Sequence, residues 1–239
     1  MNRLFVLVAF LTLAVAPAAN AVDIERVVSP GGIEAWLVYD PAVPVISMDV
    51  AWRGGSVTDA EGKEGLANMV SGLLDEGAGD LDSEAFQRRV QDLAIAIQFS
   101  AGYDNFGGDL KTLSANRDEA FRLFGLAITA PRFDAEPVDR VRGQILAALA
   151  REGESARRVA GLRWRALVFG DHAYARPVRG SAESVAALTD RDLRDFVAAR
   201  LARDNLVVAV AGDIDAATLA PLLDRTFGAL PEKSAGIAV

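Results

Sequence analysis

The sequence predicts an α+β domain: a mostly antiparallel sheet of about five or six strands with helices packed on it. Three observations carry this. Residues 45–52 alternate, with Ile46, Met48, Val50 and Trp52 on one side and Val45, Ser47, Asp49 and Ala51 on the other, the period of a half-buried strand. Residues 62–76 set Leu66, Met69, Val70, Leu73 and Leu74 at the spacing of a buried helical stripe. Residues 206–211 are continuously apolar, which reads as a buried strand.

The other elements follow in order. Residues 24–28 form a short strand, Pro30-Gly31-Gly32 a turn, and residues 33–39 a second strand. The strand at 45–52 ends at Arg53-Gly54-Gly55-Ser56, and the chain passes through Asp59 into the helix at 62–76. Gly62 and Gly65 let it turn tightly there. Asp82-Ser83-Glu84 caps a helix at 84–93. Residues 95–101 and 105–110 form a hairpin through Gly102-Tyr103-Asp104. A helix at 113–129 stops before Pro131. A long helix runs from 137 to about 169, with a break near Gly153, and a loop follows at 170–174. Thr189 to Asp192 caps a helix at 193–201, and a last helix covers 217–227. The sheet edge is expected at 45–52 or at the hairpin around Gly102.

Composition limits the function. The chain has 239 residues, 51% hydrophobic and 24% charged, ordinary for a globular protein with a real core. A net charge of −8 and the lack of a basic run argue against nucleic acid. With no cysteine there are no disulfides, thiolate nucleophiles or cysteine–zinc sites. Residues 1–21 read as a secretory signal peptide: Arg3, an apolar stretch over 4–15, and Ala19-Asn20-Ala21 as a small-x-small cleavage site. The mature chain, 22–239, is then periplasmic or secreted, with no membrane span after cleavage.

Gly65-Leu66-Ala67 resembles the lead-in to the first helix of the insulinase/pitrilysin family of zinc metallopeptidases, which includes the mitochondrial processing peptidases. In that family H-x-x-E-H follows: two histidines on one helical face hold zinc, and the glutamate is general base toward a zinc-bound water. At those positions this sequence has Asn68, Ser71 and Gly72. Further likenesses are Pro131-Arg132-Phe133, the loop Phe169 to Tyr174, Arg179-Gly180-Ser181 with Ser184-Val185, and the strand that ends at Asp213. The family's third ligand, a glutamate on the long helix, falls on Ala148, and a second family acid two turns earlier falls on Val141. The resemblance thus implies a metallopeptidase scaffold whose catalytic and metal positions (Asn68, Ser71, Gly72, Ala148) are degenerate, so no metal and no cofactor are expected where active relatives hold zinc. Family chains carry two such αβ units, and this sequence matches a single one over 22–239.

Other candidates have plainer readings. His172, the single histidine, sits in a family loop away from the zinc and reads as structural. Asp75, Glu76, Asp80 and Asp82 lack the alternating oxygens of a calcium loop and read as a helix end and a cap. Arg157, Arg158, Arg163 and Arg165 reach either a substrate carboxylate or a partner surface, or form a solvated helix face, the preferred reading. The resemblance implies a pseudo-peptidase subunit that completes a peptide-binding chamber as a heterodimer with a zinc-bearing insulinase-like partner. The alternatives are an active zinc peptidase with displaced ligands such as Asp75, Glu76 and His172, and a metal-free module that binds peptides.

Overall fold

Alternation in β3 (Val45–Arg53) builds the middle of the sheet, because its buried side chains Ile46, Met48, Val50 and Trp52 all point to one layer. The computed structural model describes residues 23–235; the expected signal peptide lies outside them. Around β3 stand β1 (Glu25–Val28), β2 (Glu34–Tyr39), β4 (Ala96–Ala101), β5 (Asn105–Leu113) and β6 (Leu206–Gly212). Their order is β1-β2-β6-β3-β5-β4, and every pairing is antiparallel except β2 with β6. The α+β class and the mostly antiparallel sheet are as expected.

Two expectations fail. The strand at 45–52 is not an edge: β6 and β5 flank it, and the edges are β1 and β4, so only the hairpin alternative survives. Periodicity fixes which side of a strand is buried but not which distant strand pairs with it. Nor is β6 buried on both faces. Val208 and Val210 are buried, while Val207 is 44% exposed and Ala209 and Ala211 are exposed. The described helices cover one face of the sheet, and the other presents Trp36, Val207 and Leu113 to solvent.

The helices are α1 (Leu66–Ser71), α2 (Ser83–Asp92), α3 (Arg117–Thr129), α4 (Ala135–Gly153), α5 (Ala156–Phe169), α6 (Ala182–Ala187), α7 (Asp190–Arg200) and α8 (Ala216–Phe227). α1 is much shorter than the apolar stripe predicts. Gly72 occupies its C-cap, and Leu73 and Leu74 remain buried from the turns beyond it. The helix expected from 113 begins at Arg117, because Leu113 ends β5 and a 3-10 turn, Ser114–Asn116, intervenes. The long helix breaks at Glu154 and Ser155, where the Ser155 hydroxyl accepts the Arg158 N–H at 3.4 Å and caps α5. α6 was not anticipated; a reciprocal capping box between Ser181 and Ser184 starts it. Among the described residues no helix is long and apolar enough to cross a membrane.

The core is aromatic. Phe106 is fully buried, 6.2 Å from the Trp52 ring and 5.4 Å from Phe196. Phe124 joins Phe99 at 5.2 Å to Phe227 at 6.2 Å. Gly108 makes room for this: a Cβ there would lie 2.9 Å from both Phe124 Cζ and Phe99 Cδ1. Its neighbour Gly107 faces the open side, where a Cβ would meet the Ser100 hydroxyl at 3.0 Å. That hydroxyl can turn away, whereas packed rings cannot. We expect Gly108→Ala to lower stability by about 1–3 kcal/mol and Gly107→Ala to change it by under about 1 kcal/mol, measured by urea denaturation. Equal effects would show that the rings do not set the limit.

Candidate functional site

α1 starts where it does because Gly65 at its N-cap has φ 93°, in the left-handed region that favours glycine. The buried Asp59 carboxylate does the capping from outside the helix, accepting the N–H of Gly65 at 3.1 Å and of Ala67 at 3.2 Å. Burial pushes Asp59 up to about 7, against the lowering effect of the Ala67 and Gly65 hydrogen bonds and the charges of Arg176 and Arg200. Ala67, Met69 and Val70 face the core.

The other side of α1 meets α4. Asn68, Ser71 and Gly72 line a cleft of about 320 Å³ whose opposite wall includes Val141 and Ala148. The structure therefore brings together the positions that match the family's ligand and acid positions, Asn68, Ser71, Gly72, Val141 and Ala148, from helices far apart in sequence. Glu76, Gln144, Ile145 and Arg179 complete the lining. Gly72 is closely opposed, since a Cβ there would be 3.3 Å from Val141 Cγ1.

These residues do not fit zinc. Ser71 turns back on its own helix, its hydroxyl donating to the Asn68 carbonyl at 2.8 Å. Gly72, Val141 and Ala148 have no donor atoms, which leaves the Asn68 amide, a weak ligand. Glu76, the carboxylate in the cleft, accepts from Arg140 Nη2 at 2.6 Å and from Ser83 Oγ at 2.5 Å. Burial raises its pKa, but these two partners outweigh that and hold it below the ordinary range.

Nor do the displaced ligands converge. Asp75 is raised by burial, and its backbone carbonyl accepts from Gln87 Nε2 at 2.9 Å. His172 Nδ1 accepts the Tyr174 N–H at 3.1 Å, and its ring packs edge-on against Tyr174, a structural role. Among the described residues, no group of three or more His, Cys, Asp or Glu side chains is placed to hold a metal ion. Asp82 accepts the Ala85 N–H at 2.8 Å, as a cap should.

Sequence reasoning missed Asp59 and Arg179 as parts of the site. Asp59 looks like one more polar turn residue. Arg179 was noticed only as part of a motif. A backbone contact places it: a Cβ on Gly65 would lie 2.6 Å from the Arg179 carbonyl oxygen.

Residues 187–238 match the family model described as the peptidase M16 inactive domain. An uncharacterised zinc protease of Mycobacterium leprae is 28% identical over 242 residues, which is 92% of this chain and 51% of that protein. The non-peptidase homologue YmxG of Helicobacter pylori is 24% identical over 193 residues, 81% of this chain and 45% of that protein. The crystal structure of a peptidase M16 inactive domain from Pseudomonas fluorescens superposes with a TM-score of 0.85 at 25% identity, covering 91% of this chain and 53% of that one. The chain spans about half the length of the curated relatives it matches.

The Asp59 cap has a pH signature. Its folded pKa lies above that of an unfolded aspartate, so its contribution is fully present below about pH 4 and is lost as pH rises through about 7. We expect the stability of the wild type relative to Asp59→Asn to fall by on the order of 1–3 kcal/mol between pH 5 and pH 8, by chemical denaturation at each pH. A difference that stays constant or grows would place the carboxylate in its charged form throughout.

Proposed function

From the match of residues 187–238 to the peptidase M16 inactive domain, we propose that the chain is a pseudo-peptidase subunit of the M16, insulinase/pitrilysin type. It holds peptide without cutting it and completes a peptide-binding chamber with a zinc-bearing insulinase-like partner, in the periplasm or outside the cell. The observation that carries this reading is the cleft between α1 and α4. Its walls are formed by Asn68, Ser71, Gly72, Val141 and Ala148. It keeps the shape of a helix-to-helix site and has no pair of strong metal donors and no free general base. The Ser71 hydroxyl is engaged with Asn68 O, and Glu76 with Arg140 and Ser83.

The need for a partner is supported by surfaces that the described residues leave bare. Trp36 and Val207 stand on the open face of the sheet at 45% and 44% exposure. α5 buries none of its residues, and its Leu167 is 86% exposed. Contiguous exposed apolar surface is one mark of a protein-contact face. The export assignment rests on the leader-like residues 1–21.

Metal analysis of the purified chain tests the catalytic half of the proposal. We expect far less than one zinc per chain for the wild type. The variant Asn68→His/Ser71→Glu/Gly72→His/Ala148→Glu should take up zinc at least tenfold more tightly against a chromophoric chelator. Stoichiometric zinc on the wild type would overturn the proposal. Affinity purification from an export-competent host should bring down a zinc-bearing homologue; a clean monomer would leave the metal-free peptide-binding module as the surviving account.

A further inference from the structure

Beside the α1 cleft lies a second and larger one, about 890 Å³, between α4, α5 and the segment at 177–179. Arg151, Arg157, Arg158, Arg165 and Arg179 line it, and Glu152 is its one carboxylate. Glu152 is already engaged, since its two oxygens accept from Arg158 Nε at 2.9 Å and from Arg179 Nη1. Among the described residues Arg151 and Arg157 have no ion-pair partner. In a chain of net charge −8, this is a concentration of positive charge against the overall balance.

The cleft is a built feature, unlike a helix face turned to water. Its arginines come from α4, from α5 and from the loop before α6. The Arg165 guanidinium lies 4.2 Å over the Tyr103 ring, and its Nε donates to the Tyr174 carbonyl at 3.2 Å. The Tyr174 hydroxyl donates to Asp104 at 2.6 Å, which ties the hairpin turn to this wall. Arg165 is therefore fixed on an aromatic platform, and Trp164 stands at the same cleft, 59% exposed. Ala148 and Arg179 line both clefts, so the two share a boundary. A chain passing Arg179 from the first cleft would reach the arginines of the second.

We propose that this cleft binds the carboxylates of an extended peptide, so that what the chain holds is an acidic peptide segment. The proposal rests on the peptide-holding reading above and names the chemistry of what is held. Guanidinium groups pair with carboxylates through two parallel hydrogen bonds, and a concave site with several unpaired cations attracts anions before contact. Arg157, Arg158 and Arg163 are exposed, as the solvated-face reading expects, and what that reading lacks is the convergence of Arg151 and Arg179 with the arginines of α5. Nucleic acid is disfavoured by the acidic balance of the chain.

The test is fluorescence anisotropy on the whole mature chain with three labelled peptides of about 12 residues. The first is glutamate-rich with an amidated C-terminus, the second has glutamine for glutamate and is amidated, and the third is the glutamine peptide with a free C-terminal carboxylate. We expect the first to bind at least tenfold more tightly than the second, to weaken as salt rises, and to lose about tenfold in Arg151→Gln/Arg157→Gln but not in Arg191→Gln. Tight binding of the third alone would assign the cleft to a terminal carboxylate rather than to side chains. Equal binding of all three, insensitive to salt, would overturn this inference and leave the peptide-holding reading intact. No binding of any peptide by the folded chain would remove both. A single-stranded oligonucleotide that outcompetes the acidic peptide would assign the arginines to phosphate and overturn the proposal.

Discussion

The site depends on one backbone contact, the close approach of Glu64-Gly65 to Arg179-Gly180. Any side chain on Gly180 would collide with the Glu64 carbonyl, since a Cβ would lie 2.1 Å from that oxygen, and Gly180 also has φ 73°. A Cβ on Gly65 would meet the Arg179 carbonyl in the same way, at 2.6 Å. The seam is then closed by polar groups. The Ser184 hydroxyl donates to the Glu64 carbonyl at 2.8 Å, and Lys63 pairs with Asp192 at 2.8 Å. Arg142 on α4 donates to the Val185 carbonyl at 2.6 Å, which draws α4 to the same junction. Asp59 sets the start of α1 on this junction, so the helix and the loop that faces it are positioned by one set of contacts.

Because the seam puts Arg179 between two clefts, the polar chemistry of the region is divided unevenly. On the α1 side, each strong polar group is used internally: Ser71 by Asn68, Glu76 by Arg140 and Ser83. On the α5 side, positive charge exceeds what Glu152 can neutralise. A cleft without a base or ligand set cannot cut a peptide bond, and a cleft with surplus arginines can still hold one. On the proposed reading, the same scaffold lacks the groups that react and offers groups that bind.

Much of this was legible from sequence. The alternation in β3 gave the buried face, the break near Gly153 and the cap at Thr189 mark helix boundaries, and the positions Asn68, Ser71, Gly72 and Ala148 do share a cleft. What stayed hidden was whatever depends on partners distant in the chain. β6 inserts between β2 and β3, so the expected edge strand became central. The helix at α1 stops early, with Gly72 at its C-cap, although the apolar period runs on through Leu73 and Leu74. Asp59 and Arg179 carry no local signature, since their roles come from a buried cap and a glycine-permitted contact. The arginines of α5 were visible as positive charge on one helix, but their convergence with Arg151 and Arg179 was not.

α5 joins these themes. Its Arg157, Arg158 and Arg165 line the cationic cleft, while Val159, Leu167 and Val168 are exposed apolar residues that take no part in it. Val159 and Leu167 share the face away from the cleft with Arg163, and the hydrophobic effect opposes keeping their apolar area wet. Covering the apolar side with another αβ unit would also raise a wall beside the cleft and exclude water from the arginines. Lower local dielectric strengthens each guanidinium–carboxylate contact severalfold. On the proposed reading, assembly and peptide affinity are therefore coupled through α5. Burying Leu167 and Val168 against a partner and holding an acidic peptide at Arg151 and Arg157 each make the other more favourable, by the same free energy in both directions.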